Sequence, residues 1–279
     1  MESRDLLIYL TFLEAFRKNC MINYSKMNGN GNDFVIINSI ESAIDLKKDF
    51  IQKIACREKG IGFDQLILIS APKAYQNDFF VKFYNADGGE ALMCLNGVRC
   101  ASDYIWMKNL APRKEMMIET TNQVSAVKPA EKNLIEVSIN LPNYYEDLTL
   151  EDSLKSFIKQ PFFMVDSGNL HLCIKVKDIN ELNLNDLYEE IRALVRPYQM
   201  NISIYTIKNK EVVMSTFENG VGKTLSCGSA AASIAFLETK NKESLKVNSE
   251  GGFLNFFNAN DKLIMRGPTK LDFDGVINE

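Results

Sequence analysis

Two short loops, each containing glycine and ending in a cysteine, constrain the fold of this chain more than any other feature. The first loop ends at Cys94 and the second at Cys227, and in both cases small or turn-forming residues and then helix-forming residues follow. Asn85 lies as far before Cys94 as Glu218 lies before Cys227. A repeated order of features indicates a repeated structural unit. We therefore expect two similar halves that each contribute one cysteine.

The repeat extends beyond the cysteine loops. A Gly-Asn pair precedes an apolar segment in each half, at Gly31-Asn32 and at Gly168-Asn169. Residues 141–147 combine a proline with polar residues after a predicted strand, which is typical of a crossing between units. These features predict three parts, which are an N-terminal extension over 1–20, a first domain over 21–141 to which 273–279 return, and a second domain over 142–272.

Short runs rich in β-branched and aromatic residues predict strands. They cover residues 34–37, 66–69, 80–84, 135–139, 173–176, 202–205 and 211–214. Residues 45–55 and the segments after the two cysteines have helical spacing or helix-forming composition. The expected fold class is therefore mixed α/β (α+β).

Composition and charge limit the kinds of molecule that this protein is expected to bind. The chain has 279 residues, of which 46% are hydrophobic and 24% charged, as in globular proteins. Its formal net charge is −4 and its basic residues are scattered, so it lacks the basic surface that nucleic-acid binders need. We expect a small-molecule partner and no nucleic acid.

The N-terminus predicts neither a membrane span nor a secretory signal. The apolar run over residues 6–16 is interrupted by Thr11 and Glu14 and is too short to cross a bilayer. A secretory signal has a basic start and a small-residue cleavage site, whereas here the acidic residue Glu2 follows Met1 and we find no such site. A cytoplasmic protein with no membrane partner is expected.

Six cysteines and one histidine, His171, are the usual candidates for metal or disulfide chemistry. The chain is long, lacks a dense cysteine framework and has no Cys-x-x-Cys pair, so we expect reduced thiols and no metal. Residues 220–224 (GVGKT) resemble the end of a phosphate-binding loop, but the glycine required five residues before Gly222 is Phe217. Nucleotide binding is not expected.

The two cysteine loops suggest a specific chemistry. A helix start leaves backbone N–H groups unpaired and carries a partial positive charge, so it binds carboxylates and favours thiolates. Inverting a stereocentre requires an acid and a base of matched kind on opposite faces of the carbon. Cys94 and Cys227 are candidates for these roles, whereas the other cysteines are expected to be small buried hydrophobic residues.

The chain resembles the diaminopimelate epimerase family from about Met21 to Ile277. The segments that carry the resemblance share their order with that family. They are residues 26–34 (KMNGNGNDF), 60–65 (GIGFDQ), 85–88 (NADG), 94–100 (CLNGVRC), 168–171 (GNLH), Asn201, Glu218, 227–229 (CGS), 251–252 and 265–268 (MRGP).

The resemblance implies two pseudo-symmetric domains, each a curled, mainly antiparallel sheet around a central helix, and a catalytic pair formed by Cys94 and Cys227. It implies neither pyridoxal phosphate nor any other cofactor, and no metal. A homodimer is considered as the assembly. The substrate-binding residues implied by position are Asn32, Gln65, Asn85, Asn96, Gly97, Asn169, His171, Asn201, Glu218, Asn219, Gly228 and Ser229.

Departures from the family pattern keep alternatives open. Asn219 stands where the family has an arginine for the distal carboxylate of its substrate, and Lys223 is considered as a displaced replacement for that charge. Leu95 and Ala230 replace glycines beside the cysteine loops. Epimerisation of L,L-diaminopimelate to the meso form, for lysine and peptidoglycan synthesis, is the first hypothesis. The others are a racemase of another amino acid such as histidine, a non-catalytic binding relative, and a thiol redox protein.

Overall fold

A computed structural model describes residues 21–41, 44–239, 244–259 and 261–278. The predicted extension over 1–20, with its apolar run, lies outside these residues. The strands of the described part are β1 Met21–Gly29, β2 Asn32–Asn38, β3 Gln65–Ser70, β4 Phe79–Asn85, β5 Glu90–Ala91, β6 Met116–Glu119, β7 Val124–Pro129, β8 Ile135–Asn140, β9 Asn143–Tyr144, β10 Phe162–Asp166, β11 Leu170–Lys175, β12 Asn201–Lys208, β13 Glu211–Glu218, β14 Gly222–Thr224, β15 Leu245–Ser249, β16 Gly252–Ala259, β17 Lys262–Gly267 and β18 Lys270–Asn278. The helices are α1 Lys48–Ala55, α2 Leu95–Met107, α3 Leu148–Lys155, α4 Leu184–Val195 and α5 Gly228–Glu238.

The same strand pairings occur twice along the chain. In the first half β1 and β2 are antiparallel, β2 and β3 parallel, and β3 and β4 antiparallel. The second half repeats this order with β10, β11, β12 and β13. In each half the fourth of these strands then pairs in parallel with the first strand of a meander, which is β6 to β8 or β15 to β17. The repeat seen in the sequence is therefore a repeat of topology.

Three antiparallel pairings join the halves into one mainly antiparallel sheet. The last meander strands, β8 and β17, pair with each other. The short strand β9 pairs with β10, and the C-terminal strand β18 returns to pair with β1. The mixed α/β fold class is confirmed, while the domain boundary near residue 141 stays a prediction.

Two helices lie inside the curled halves. Val98 and Ile105 of α2, and Ala231 and Ile234 of α5, belong to one continuous core cluster. Helix α5 consists mostly of small apolar residues around its whole circumference, which is typical of a buried helix. The amphipathic helices α1 and α4 cover the opposite faces of the two halves.

Strand alternation explains this layering. In β2, Phe34 and Ile36 face the α2 cluster, whereas Val35 and Ile37 pack with α1. Such strands, buried on both faces, appear in the sequence as continuous apolar runs. All seven predicted runs lie in strands, except that Val176 falls one residue beyond β11. The helix predicted from Asp45 begins at Lys48, because Lys47 has an extended backbone.

Within the residues that the structure describes, none of the helices combines the length and apolar character needed to cross a membrane.

Candidate active site

Cys94 and Cys227 each occupy the residue immediately before a buried helix. Cys94 caps α2 with an extended backbone, and its Sγ accepts a hydrogen bond from the Gly97 N–H at 3.4 Å. Cys227 has the same position before α5, and its Sγ lies 3.4 Å from the Ser229 Oγ. Backbone N–H groups at both helix starts are therefore directed toward a thiol, from Gly97 to Cys94 and from Ala230 to Cys227.

The two helix starts are in direct contact. A Cβ placed on Gly228 would lie 3.0 Å from the Leu95 Cβ and 3.3 Å from the Asn96 Oδ1. Both distances are tighter than in most packed structures, so a side chain at position 228 would require Leu95 or Asn96 to shift by a few tenths of an ångström. Leu95, which replaces a family glycine, is itself buried in the join and does not separate the helices. The contact brings both cysteine loops into one site.

Burial disfavours the charged form of both thiols. Burial raises the pKa of Cys94 to about 12, the Gly97 N–H opposes this rise, and the negative charge of Glu218 adds to it. Burial also raises the pKa of Cys227 well above its usual value, and Glu218 again adds to the rise. Cys94 keeps part of its surface exposed, whereas Cys227 is 6% exposed. Arg99 opposes the rise for Cys94, and a hydrogen bond with Ser229 opposes it for Cys227.

Glu218 is the acidic group that both thiols share. It is the last residue of β13, and its Oε1 accepts a hydrogen bond from the Thr224 Oγ1 at 2.6 Å. Burial raises the pKa of Glu218, while the hydrogen bonds with Thr224 and Cys227 lower it. A carboxylate in this position attracts an ammonium group.

Matching strand ends supply amide groups from both halves. At one end of the first half, the Gln65 Nε2 donates to the Asn85 Oδ1 at 2.9 Å. In the second half, the Asn201 Oδ1 accepts from the backbone N–H of Asn219 at 2.9 Å. Gln65 begins β3 and Asn201 begins β12, so the two pairs lie at equivalent ends of the repeated sheet.

The Asn32 side chain links the start of α2 to a charged cluster. Its Oδ1 accepts from the Asn96 Nδ2 at 2.5 Å, and its Nδ2 donates to the Asp64 Oδ2 at 3.3 Å. Arg57 holds Asp64 and also pairs with Asp33. Asp33, Arg57 and Asp64 were not among the predicted site residues, although Asp64 lies in the motif at 60–65.

His171 is completely buried and neutral. Burial lowers the pKa of His171 to about 3. Its Nε2 lies 3.0 Å from the Asn169 Oδ1 and 3.0 Å from the Ser229 Oγ. Because the amide oxygen only accepts, Nε2 carries the ring proton. His171 therefore orients Asn169 and Ser229 and is unsuited to act as a base.

The structure places the predicted residues at the two helix starts and at strand ends of the two halves. Asn96, Gly97, Gly228 and Ser229 belong to the helix starts themselves. Asn32, Gln65 and Asn85 lie at strand ends of the first half, and Asn169, His171, Asn201, Glu218 and Asn219 lie at or beside strand ends of the second.

Lys223 does not replace the missing arginine charge. Its Nζ pairs with the Glu250 Oε1 at 2.6 Å. In β14, the neighbouring Thr224 bonds Glu218, and side chains alternate along a strand, so Lys223 projects from the opposite face of the sheet. Thr224, a site residue that sequence reasoning missed, lies in the segment that resembled a phosphate-binding loop.

The described residues, with gaps only at 1–20, 42–43, 240–243, 260 and 279, contain no group of three or more His, Cys, Asp or Glu side chains suited to a metal ion.

Several solved structures have the same fold. A PhzF-family phenazine biosynthesis protein from Bacillus anthracis matches with a TM-score of 0.69 at 15% identity, covering 92% of this chain and 99% of that one. A hydroxyproline epimerase from Agrobacterium vitis, with bound trans-4-hydroxy-L-proline, matches with a TM-score of 0.65 at 11% identity, covering 93% of each chain. At these identities the likeness concerns the fold alone.

Sequence relatives cover nearly the whole chain. The family model described as diaminopimelate epimerase matches residues 24–143. The diaminopimelate epimerase of Buchnera aphidicola subsp. Acyrthosiphon pisum is 32% identical, over 95% of this chain and 99% of its own length. That of Halothermothrix orenii is 30% identical, over 92% of this chain and 98% of its own length. The chain therefore belongs to the diaminopimelate epimerase family and is an isomerase.

Proposed function

We propose that the protein interconverts L,L- and meso-diaminopimelate by moving a proton on and off the α-carbon between Cys94 and Cys227. The observation that carries this proposal is the contact between the two helix starts, with a cysteine immediately before each. The relatives named diaminopimelate epimerase support the choice of substrate. The reaction would serve the synthesis of lysine and peptidoglycan.

The substrate α-carboxylate binds at the joined helix starts. The N–H groups at the beginnings of α2 and α5 have no partner within their own helices, and both helix dipoles favour a negative charge there. The α-ammonium group is attracted to Glu218, whose negative charge acts on both thiols. With both groups held, the α-carbon lies between the two sulfur atoms.

Proton transfer follows from this placement. The thiolate on one face removes the α-proton, and the electron pair of the C–H bond moves onto the α-carbon and the carboxylate. The helix-start N–H groups stabilise the charge that develops on the carboxylate. The thiol on the other face then donates its proton to the carbon, which inverts the centre and leaves a thiolate there. For the epimer the two cysteines exchange roles.

The substrate ammonium group adds a positive charge close to Glu218 and the two thiols. Burial holds both thiols in their neutral form, so one proton must leave before the reaction. Burial is the main cause of the raised pKa values, and an α-ammonium group beside Glu218 offsets the negative charge that adds to them. Substrate binding and thiolate formation are therefore coupled.

A second candidate substrate is an amino acid without a distal carboxylate, such as histidine. Asn219 stands at the position of the family arginine, and Lys223 is paired with Glu250 on the other face of the sheet. Arg57 and Lys26, the cations near Asn32, are both engaged by carboxylates. A substrate with an uncharged side chain would not bring into the site a second carboxylate that has no cation to pair with.

The experiment that tests the proposal is incubation in deuterium oxide with L,L-diaminopimelate and a panel of L-amino acids under reducing conditions. Loss of the α-proton NMR signal identifies the substrate. We expect exchange on diaminopimelate that disappears in Cys94→Ala and in Cys227→Ala. Exchange only on a monocarboxylate would establish the second candidate, and normal turnover in either cysteine variant would exclude the two-base mechanism.

A further inference from the structure

The Asp64 carboxylate determines the orientation of the Asn96 side-chain amide through two consecutive hydrogen bonds. The Asp64 Oδ2 accepts from the Asn32 Nδ2 at 3.3 Å, and the Asn32 Oδ1 accepts from the Asn96 Nδ2 at 2.5 Å. A carboxylate accepts hydrogen bonds and cannot donate them. Asn32 must therefore direct its NH2 group to Asp64, and Asn96 must direct its NH2 group to Asn32.

This arrangement leaves the Asn96 Oδ1 without a partner. The side chain is 1% exposed, and its oxygen is a buried acceptor that receives no hydrogen bond from the described residues. The oxygen lies 3.3 Å from the position that a Cβ on Gly228 would occupy. An unpaired buried acceptor costs free energy unless something donates to it. It faces the join of the two helix starts.

The Asp64 carboxylate is held by two groups besides Asn32 and cannot turn freely. Arg57 Nη2 binds its Oδ1 at 2.7 Å, and the backbone N–H of Asp33 donates to its Oδ2 at 3.1 Å. In return, the Asp64 N–H donates to the Asp33 Oδ1 at 2.8 Å, and Arg57 also binds that oxygen. The cluster gives Asp64 a fixed geometry at the edge of the site.

We propose that Asp64 is a positioning residue, which acts through Asn32 to turn the Asn96 Oδ1 toward the helix starts, where that oxygen accepts a hydrogen bond from the substrate α-ammonium group. The free N–H groups there take the α-carboxylate, and the ammonium group is bonded to the same α-carbon. An acceptor beside the carboxylate site therefore meets the ammonium group. The ligand in this proposal rests on the proposed function, whereas the chain of hydrogen bonds does not.

A double-mutant cycle in the free protein tests the chain of hydrogen bonds. Asn96→Asp replaces the NH2 group facing the Asn32 Oδ1 with an acceptor, so Asn32 must turn and present its oxygen to Asp64. In an Asp64→Asn background, the NH2 group introduced at position 64 can donate to the Asn32 Oδ1 in this reversed orientation. We expect Asn96→Asp to lower the melting temperature in the wild type by roughly 2–4 °C more than it does in the Asp64→Asn background. Other effects of each substitution cancel in the cycle.

Repulsion between two carboxylates would also produce coupling, and Asp33 provides the matched control. Asp33 carries the same charge one residue from Asn32 but bonds Lys26, Arg57 and the Asp64 N–H rather than the Asn32 amide. We expect the cycle of Asn96→Asp with Asp33→Asn to show no comparable coupling. Equal effects of Asn96→Asp with and without Asp64, or equal coupling in both cycles, would overturn the positioning role.

The role of the ammonium group is tested by the kinetics of α-proton exchange. A hydrogen bond made equally to substrate and transition state affects KM rather than kcat. We expect Asp64→Asn to raise KM about tenfold while kcat stays within about threefold of the wild-type value. An unchanged KM would overturn the ammonium contact. If the wild type exchanges no substrate while the stability cycle shows coupling, the proposed function fails and the positioning role stands.

Discussion

Gly228, the first residue of α5, lies against Leu95, the first residue of α2, so closely that a Cβ on Gly228 would stand 3.0 Å from the Leu95 Cβ. The two residues occupy equivalent positions in the repeated halves, each directly after a cysteine. Their contact is therefore a point at which the duplicated units meet, directly beside both cysteines.

Gly228→Ala tests the importance of this contact. The added methyl group would force the helix starts apart or displace Leu95 and Asn96, and overpacking of this kind typically costs about 1–3 kcal/mol. We expect α-proton exchange to fall at least about tenfold, since small misplacements of reacting groups are costly. Turnover and thermal unfolding measure the two effects.

Gly89→Ala is the matched control for that substitution. The atoms nearest to its Cβ would be those of the Asp87 side chain, with Oδ1 at 3.0 Å, and this side chain can move. We expect activity near that of the wild type. If both variants behave alike, the fit between the two helix starts is not critical.

The thiol of Cys94 should react slowly with alkylating agents at neutral pH. Because burial raises its pKa to about 12, the thiolate fraction should increase about tenfold per pH unit well beyond pH 9, whereas an unperturbed cysteine ionises near pH 8.5. Iodoacetamide labelling of the Cys94 peptide, followed by mass spectrometry from pH 7 to 10, measures this. A rate that levels off below pH 9 would show that the thiol is not perturbed in this way.

Asn219→Arg should strengthen binding of diaminopimelate. A charge-assisted hydrogen bond to the distal carboxylate contributes about 1.5–3 kcal/mol, which corresponds to a KM lower by about 10- to 150-fold. Lys223→Met is the control, because Lys223 pairs with Glu250 on the other face of the sheet, and it should leave KM unchanged. A large rise in KM with Lys223→Met would show that Lys223 does reach the substrate.

Acid should remove a stabilising contribution from Asp33. Burial alone would raise its pKa, but hydrogen bonds from Arg57 and Lys26 outweigh burial and hold the pKa well below the ordinary value. A group with a lowered pKa stabilises the fold above its unfolded pKa, near 3.9, and loses this contribution as pH falls below that value. We expect Asp33→Asn to destabilise the protein by about 1–2 kcal/mol at pH 7, after allowance for the exposure of Arg57.

The difference in unfolding free energy between Asp33→Asn and the wild type should shrink as pH falls from 5 to 3. Urea unfolding across this range measures it. A difference that stays constant would mean that the ionisation of Asp33 does not contribute.

Local patterns in the sequence predicted most of the sheet and both cysteine positions. Apolar runs such as 66–69 and 202–205 become strands buried on both faces, and small residues after Cys94 and Cys227 begin buried helices. The repeat was visible because duplicated strand pairings preserve the order of glycine, asparagine and cysteine. These features depend on neighbours in the sequence.

The parts that escaped prediction depend on strand facing and on distant pairs. Lys223 and Thr224 are adjacent, and only the pairing of β14 with β13 shows that Thr224 reaches Glu218 while Lys223 turns away. The cluster of Asp33, Arg57 and Asp64 forms because β2 and β3 run in parallel side by side. No local spacing reveals either arrangement.

Transfer of solvent deuterium during the first turnovers tests the two-base mechanism most directly. L,L-diaminopimelate is incubated with the enzyme in deuterium oxide, and the α-positions of product and remaining substrate are examined by NMR at low conversion. If the two cysteines act from opposite faces and the donating thiol has exchanged its proton for solvent deuterium, the first meso product carries deuterium while the unreacted substrate keeps its proton. Product that retains the original proton, or deuterium that enters the substrate before any epimer forms, would contradict proton transfer between Cys94 and Cys227.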